Sequence, residues 1–172
     1  GEWQIINGNQ TAMMFVYYII KNKIALGQLK SSDILAKTIV TTKLCECVAE
    51  HYGVELRNVL TGFKYIGEQI RALEEVGQEE RFLLGYEESY GYLTCPSVRD
   101  KDAVSACALA AEAAAWAKDT MGLTLYEWLQ QLYVKYGFYR ESLVSVVRKG
   151  KEGAEEIQRM MVDFRENPPK EL

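Results

Sequence analysis

Between Trp3 and Met121 short apolar, β-branched runs alternate with longer segments whose apolar residues recur every three or four positions, and glycine, serine or asparagine marks most switches. A layered α/β fold accounts for that alternation. Strands separated by a helix return to the same end of a sheet through right-handed crossovers and so run parallel. The expected strands are Trp3–Ile6, the Thr-Ile-Val-Thr-Thr-containing stretch Ile34–Thr42, Val54–Leu60 and Arg81–Gly85. The helices between them are Gln10–Ala25 after the turn Asn7-Gly8-Asn9, Lys43–His51 stopped at Gly53, and Phe63–Glu75 stopped at Gly77. Met13, Val16, Tyr17 and Ile20 make the core face of the first helix, and Phe63, Ile66, Ile70 and Leu73 that of the third. Asp102 caps an alanine-rich helix, Ala103–Met121, and Thr124 with Glu127 forms a capping box for Leu125–Tyr136. The expectation is a three-layer α/β/α domain on a mixed, mostly parallel four-stranded sheet over residues 1–137. Past Gly137, Phe138–Val147 reads as a strand, Ala154–Arg165 as a charged amphipathic helix and Asn167-Pro168-Pro169 as its end, so residues 138–172 look like a linker and the truncated start of a second domain.

Composition narrows the function classes. At 172 residues, 48% apolar and 26% charged, the chain suits one well-buried core. A net charge of −4 without clustered Lys and Arg argues against a nucleic-acid surface. The longest apolar run, Ala12–Ile20, is well short of the ~20 residues that cross a bilayer, so no membrane span is expected. The opening Gly1-Glu2-Trp3 lacks the basic region of a signal peptide and reads as a processed or excised start. Cys45, Cys47, Cys95 and Cys107 show no Cys-x-x-Cys spacing; reduced thiols in a cytoplasm fit, with Cys45 and Cys47 as packing residues. His51, the only histidine, sits near a helix C-terminus, where the dipole favours it, and has no visible catalytic partner.

Ligands of open α/β sheets bind at the carboxyl ends of the strands. Three stretches fall there: Asn7-Gly8-Asn9, Thr61-Gly62-Phe63-Lys64, and Gly85–Gly91. On an extended backbone Glu87 and Ser89 share a side and Glu88 faces away, a spacing that suits the hydroxyls of a polyol and equally describes a solvated strand edge. Thr61-Gly62 offers a hydroxyl, unobstructed backbone and helix N-terminal amides to phosphate or hydroxyl oxygens. Lys64 and Lys101 are the nearest basic residues, as phosphate partners or as plain surface lysines. The chain has no phosphate-cradling Gly-x-x-x-x-Gly-Lys loop, no dinucleotide glycine fingerprint and no Gly-x-Ser-x-Gly elbow. Glu87 and Glu88, adjacent on a strand, point apart and make a poor glycosidase pair.

Thr61-Gly62-Phe63-Lys64-Tyr65-Ile66-Gly67, then Phe82–Gly91 with its Glu-Glu-Ser loop, then Arg99-Asp100-Lys101-Asp102-Ala103 resemble, in order and spacing, the third domain of the α-D-phosphohexomutases of the phosphoglucomutase/phosphomannomutase branch. The resemblance covers about Trp3 to Gly137, and Phe138–Leu172 resembles the segment that leads into and starts the fourth domain. Tyr90 stands before Gly91 where several relatives place glycine or another small residue directly after the serine. Members of that family are four-domain enzymes that interconvert sugar 1-phosphates and 6-phosphates through a phosphoserine, a bound magnesium ion and a bisphosphorylated intermediate that reorients in the cleft. The resemblance implies that Glu87 and Ser89 bind ring hydroxyls of a hexose phosphate in both orientations, that Thr61 and Gly62 contact it from the other loop, and that Lys101 lies near its phosphate or hydroxyls. Glu88 and Lys64 are further candidates. No Thr-Ala-Ser-His or Asp-Gly-Asp-x-Asp-Arg string occurs. The fragment is therefore expected to hold no catalytic or metal-binding residue, to bind no cofactor itself, to need domains I, II and IV of the same chain, and to show no turnover alone, magnesium belonging to the full-length parent. The competing reading is a non-catalytic α/β module whose acidic loop binds a sugar or a protein. A complete small isomerase is disfavoured, since no histidine and carboxylate stand as a general base pair.

Overall fold

Ile34 to Thr38 (β1) is the axis of the sheet, and all five residues are buried. In the computed structural model, which describes residues 3–142 and 145–168, β1 is flanked on both sides. It pairs in parallel with β2 (Glu55–Val59) and with β3 (Phe82–Glu87), and β3 pairs antiparallel with β4 (Gly91–Leu93), giving the order β2-β1-β3-β4. A one-residue register shift between Ile34 and Leu35 leaves Leu83 extra on β3. The exposed edge, β2, carries Glu55 and Arg57, whose side chains pair at 2.7 Å and blunt it against further strand addition.

Helices cover both faces. On one side Leu35, Leu84, Tyr86 and Tyr92 pack with residues of α1 (Gly8–Ala25), α2 (Leu44–Tyr52), α4 (Ala103–Met121) and α5 (Leu125–Tyr136), among them Met13, Phe15, Val48, Ala113 and Trp128. On the other, Ile34, Ala36, Phe82 and Leu93 pack with Phe63, Ile66, Ile70 and Leu73 of α3 (Phe63–Glu74), the stripe expected from their spacing. Gly85 lets α3 settle on the sheet, since a Cβ there would lie 2.4 Å from Ile66 Cγ2.

The sheet has four strands as expected, but not the same four. Trp3–Ile6 is irregular, with Trp3 99% and Ile5 90% exposed; Asn7 caps α1, exchanging 2.9 Å bonds with Gln10, so the chain enters a helix without pairing to any strand. The missing place is taken by β4, too short to show a period. β1 stops at Thr38 where β-branched residues run on to Thr42, because the Thr41 amide bonds the Thr38 carbonyl and closes a turn that leaves Ile39 and Val40 more than half exposed. A 3₁₀ turn, Glu79–Arg81, leads into β3, which runs two residues beyond Gly85. In α1, Met13, Val16 and Ile20 are fully buried and Tyr17 is half-buried.

The chain divides into two compact units between Tyr139 and Arg140. The second contains α6 (Gly150–Glu166), four residues longer at its start than the periodicity predicts, with Gly153 packed against the Arg148 backbone. No strand forms among the described residues of Phe138–Val147; Leu143 and Val144 lie outside them, as does Pro169. A β-branched run becomes a strand only where a partner edge is available, and none pairs with this one among the described residues. None of the four cysteines is in a disulfide, and Cys45 is buried in the core. His51 lies in the last turn of α2, edge-on to Tyr52 at 4.7 Å and Tyr136 at 5.6 Å. Among the described residues no helix is long and apolar enough to cross a membrane.

Candidate functional site

The carboxyl ends of β1, β2 and β3 lie along one rim, and α2 and α3 start there because each follows its strand directly. The start of α1 joins them: Asn9 Oδ1 accepts the Thr42 amide at 3.0 Å, and Gly8 lies against the backbone of Glu88. Helix N-termini carry unsatisfied amides and partial positive charge, so the rim favours oxygen ligands and carboxylates.

Glu87, the last residue of β3, is the centre of this rim and only 6% exposed. A carboxylate buried to that degree is costly unless paired. Its Oε1 accepts the Gly62 amide at the start of α3 at 3.2 Å, and its Oε2 lies 3.4 Å from Lys101 Nζ. The lysine, half-exposed, also stands over the Phe63 ring, 5.2 Å from its centroid. Gly91 leaves room for the pair, since a Cβ there would lie 3.1 Å from Lys101 Cδ and 3.3 Å from Glu87 Oε2. Three of the predicted site residues, Gly62, Glu87 and Lys101, thus meet around one carboxylate. Thr61 is exposed next to Gly62. Lys64 is exposed too, and its ammonium lies over the Tyr65 ring at 4.8 Å.

The strand alternation that would put Ser89 on the side of Glu87 does not apply, because the backbone is not extended there. Glu88-Ser89-Tyr90 is the three-residue loop of the β3–β4 hairpin, closed by the Glu87 and Gly91 pair, with Tyr90 at φ 61° in the left-handed region. Ser89 is therefore exposed at the loop, while Glu88 turns inward, its Oε2 accepting a bond from Thr38 Oγ1 at 3.3 Å. Tyr90 Oη donates to the Ile6 carbonyl at 3.2 Å, and Tyr92 Oη to the Gly8 carbonyl at 2.7 Å.

Sequence reasoning passed over Lys37, Thr38 and Thr41. Lys37 is 1% exposed, and its ammonium lies 3.0 Å from the Thr41 carbonyl and 3.0 Å from Glu46 Oε1. Burial pushes the Glu46 carboxyl up, but the Lys37 bond and charge outweigh it and hold the group below its ordinary range. A signal was present: a lysine inside a β-branched run at a strand end must find a partner if that strand is buried. Among the described residues no group of three or more His, Cys, Asp or Glu is placed to share a metal ion. The rim supplies carboxylate, ammonium, hydroxyl and amide groups, which bind and orient oxygen-rich ligands.

A family profile described as phosphoglucomutase/phosphomannomutase, alpha/beta/alpha domain III, matches residues 7–136. Phosphoglucomutases of Staphylococcus aureus strains MRSA252 and bovine RF122 / ET3-1 are each 36% identical over all 172 residues, and the chain spans 30% of their length. Among solved structures, pp63/parafusin, a phosphoglucomutase of Paramecium in its open form, superposes over 98% of this chain and 28% of its own at TM-score 0.59 and 20% identity. A Thermus thermophilus protein described as a phosphomannomutase covers 77% of this chain and 26% of its own at TM-score 0.60 and 19% identity. At those identities the structural likeness concerns the fold.

Proposed function

Because the chain belongs to the phosphoglucomutase/phosphomannomutase family, whose α/β/α domain III matches residues 7–136, we propose that it is the sugar-binding part of a phosphohexomutase. The complete enzyme interconverts hexose 1-phosphate and 6-phosphate, of glucose, mannose or both, by intramolecular phosphoryl transfer. The observation that carries this reading is the buried carboxylate of Glu87, held by Gly62 and Lys101 at the sheet's carboxyl rim. Its remaining lone pairs accept from adjacent ring hydroxyls, and charge-assisted bonds of this kind are strong enough to fix a ring. Ser89 and Thr61, both exposed, add hydroxyls from two loops, and Lys101 offers its charge to the phosphate.

Residues 138–172 are read as the linker and start of domain IV, and domains I, II and IV as the rest of the same chain, in keeping with the 30% of the relatives' length that this chain spans. The family resemblance assigns the phosphoserine and the magnesium of the complete enzyme to those other domains. Four cysteines outside any disulfide support a reducing cytoplasm.

The test is a coupled assay of glucose 1-phosphate conversion by a polypeptide that joins this chain to the other domains. Glu87→Gln is expected to lower kcat/KM about a hundredfold, since bonds to a buried charged acceptor are lost. Unchanged kinetics would remove Glu87 from the site. The 172-residue chain alone is expected to give no product, and turnover by it would refute the division of labour.

A further inference from the structure

We propose that Glu88 is a positioning residue: its carboxylate clamps the turn that presents Ser89 to the carboxyl end of β1, and it does not itself touch the sugar. The inference rests on the sugar-binding reading above and deepens it. A carboxylate only accepts, so the 3.3 Å contact requires Thr38 Oγ1 to donate to Glu88. Thr38 has one proton, and therefore the 2.8 Å contact between Thr38 and Thr41 hydroxyls must run from Thr41 to Thr38. The result is a directed chain, Thr41 to Thr38 to Glu88, in which Thr38 and Thr41 are buried. Its far end is fixed as well, since the Thr41 carbonyl accepts from Lys37. Glu88 thus spends its inward-facing oxygen on protein.

The same turn is held at two further points. The Glu88 carbonyl oxygen lies 1.8 Å from where a Gly8 Cβ would stand, so the turn rests directly on the start of α1. The Tyr90 hydroxyl bonds the Ile6 carbonyl. Packing and the tyrosine fix the height of the turn above the rim. The Thr38 bond ties a side chain of the turn to the carboxyl end of the central strand, and it sets the swing of Ser89 relative to Glu87.

Amide hydrogen exchange on the 172-residue chain reads the clamp without any ligand. Thr38→Val and Glu88→Ala are each expected to speed exchange at Tyr90 and Gly91 about tenfold, as loss of one part-buried charged bond predicts. Thr38→Ser restores the native rate, and the double variant exchanges no faster than either single one, because both changes remove the same bond. Thermal melts of each variant separate this from global unfolding. Native exchange in Thr38→Val overturns the proposal. A titration with glucose 1-phosphate, followed by amide chemical shifts, supplies the second arm: Thr38→Val and Glu88→Ala should weaken binding by the same factor, again about tenfold. Weakening by Glu88→Ala alone identifies Glu88 as a sugar ligand and overturns the proposal. If the exchange results hold while glucose 1-phosphate moves no signal near Glu87 or Ser89 of the wild-type chain, the clamp stands and it is the sugar reading that fails.

Discussion

Gly8 and Gly122 show how differently two glycines constrain one chain. Gly122 ends α4 at φ 69° with open space around it, so a side chain there meets only the left-handed penalty, about 1 kcal/mol. Gly8 has no such backbone angle, but its Cβ would stand 1.8 Å from the Glu88 carbonyl oxygen and 2.9 Å from the Tyr90 nitrogen, both backbone atoms that cannot rotate away. Gly8→Ala must therefore lift the hairpin turn or push back α1. The expected cost is about 3 kcal/mol, the upper part of the usual overpacking range, against about 1 kcal/mol for Gly122→Ala. Urea unfolding of the two variants side by side checks the order. On the proposed sugar-binding reading, displacement of the turn also predicts weaker sugar-phosphate binding by Gly8→Ala and none of that effect in Gly122→Ala, which lies at the end of a helix remote in sequence from both loops of the proposed site.

At the scale of elements, the helices are set by local chemistry and the strand edges by tertiary partners. α1 begins where Asn7 and Gln10 exchange side-chain to backbone bonds, and Asn7→Ala leaves the Gln10 amide without its acceptor. The expected loss is about 1 kcal/mol, seen as a lower urea midpoint at unchanged slope. Such caps are visible in a sequence, as are the α3 stripe and the Asp102 and Thr124 starts, all of which follow from spacing alone. Strand pairing is not local. Nothing within Trp3–Ile6 says that it lacks a neighbour, nothing within Gly91–Leu93 says that it has one, and the end of β1 depends on a turn bond from Thr41 to Thr38. The site divides along the same line. Gly62, Glu87 and Lys101 were legible because each stands at the end of an element, where the fold class alone puts ligands. The turn at Ser89 was not, since it depends on Tyr90 accepting φ 61°, and neither was the Thr38 to Glu88 bond, which joins residues fifty positions apart.

Over the whole first unit, one core of four helices and a sheet face encloses three tyrosines, Tyr18, Tyr86 and Tyr92, each less than 10% exposed. Burial raises all three phenols above their ordinary value; Tyr18, which donates to Glu112 at 2.7 Å, is pushed up to about 12. Tyr86, beside the Cys45 thiol, and Tyr92, bonded to the Gly8 carbonyl, are also raised, both chiefly by loss of hydration. The linkage has a definite sign. A phenol whose folded pKa exceeds its unfolded value near 10 holds its proton longer in the fold, so above that pH the unfolded chain binds fewer protons and stability falls. The contribution is complete below about pH 10 and is lost as pH climbs through the folded values. Denaturant unfolding is therefore expected to give a flat stability from about pH 7 to about pH 9 and a steep decline above about pH 10, with a slope of up to about three protons. Phenolate absorbance follows the buried groups: these three ionise only together with loss of the far-UV signal. Buried phenols titrating near pH 10 in a folded chain would contradict this core. Because the Tyr92 hydroxyl ties β4 to the start of α1 beneath the hairpin turn, the same transition is expected, on the proposed sugar-binding reading, to abolish sugar-phosphate binding together with stability.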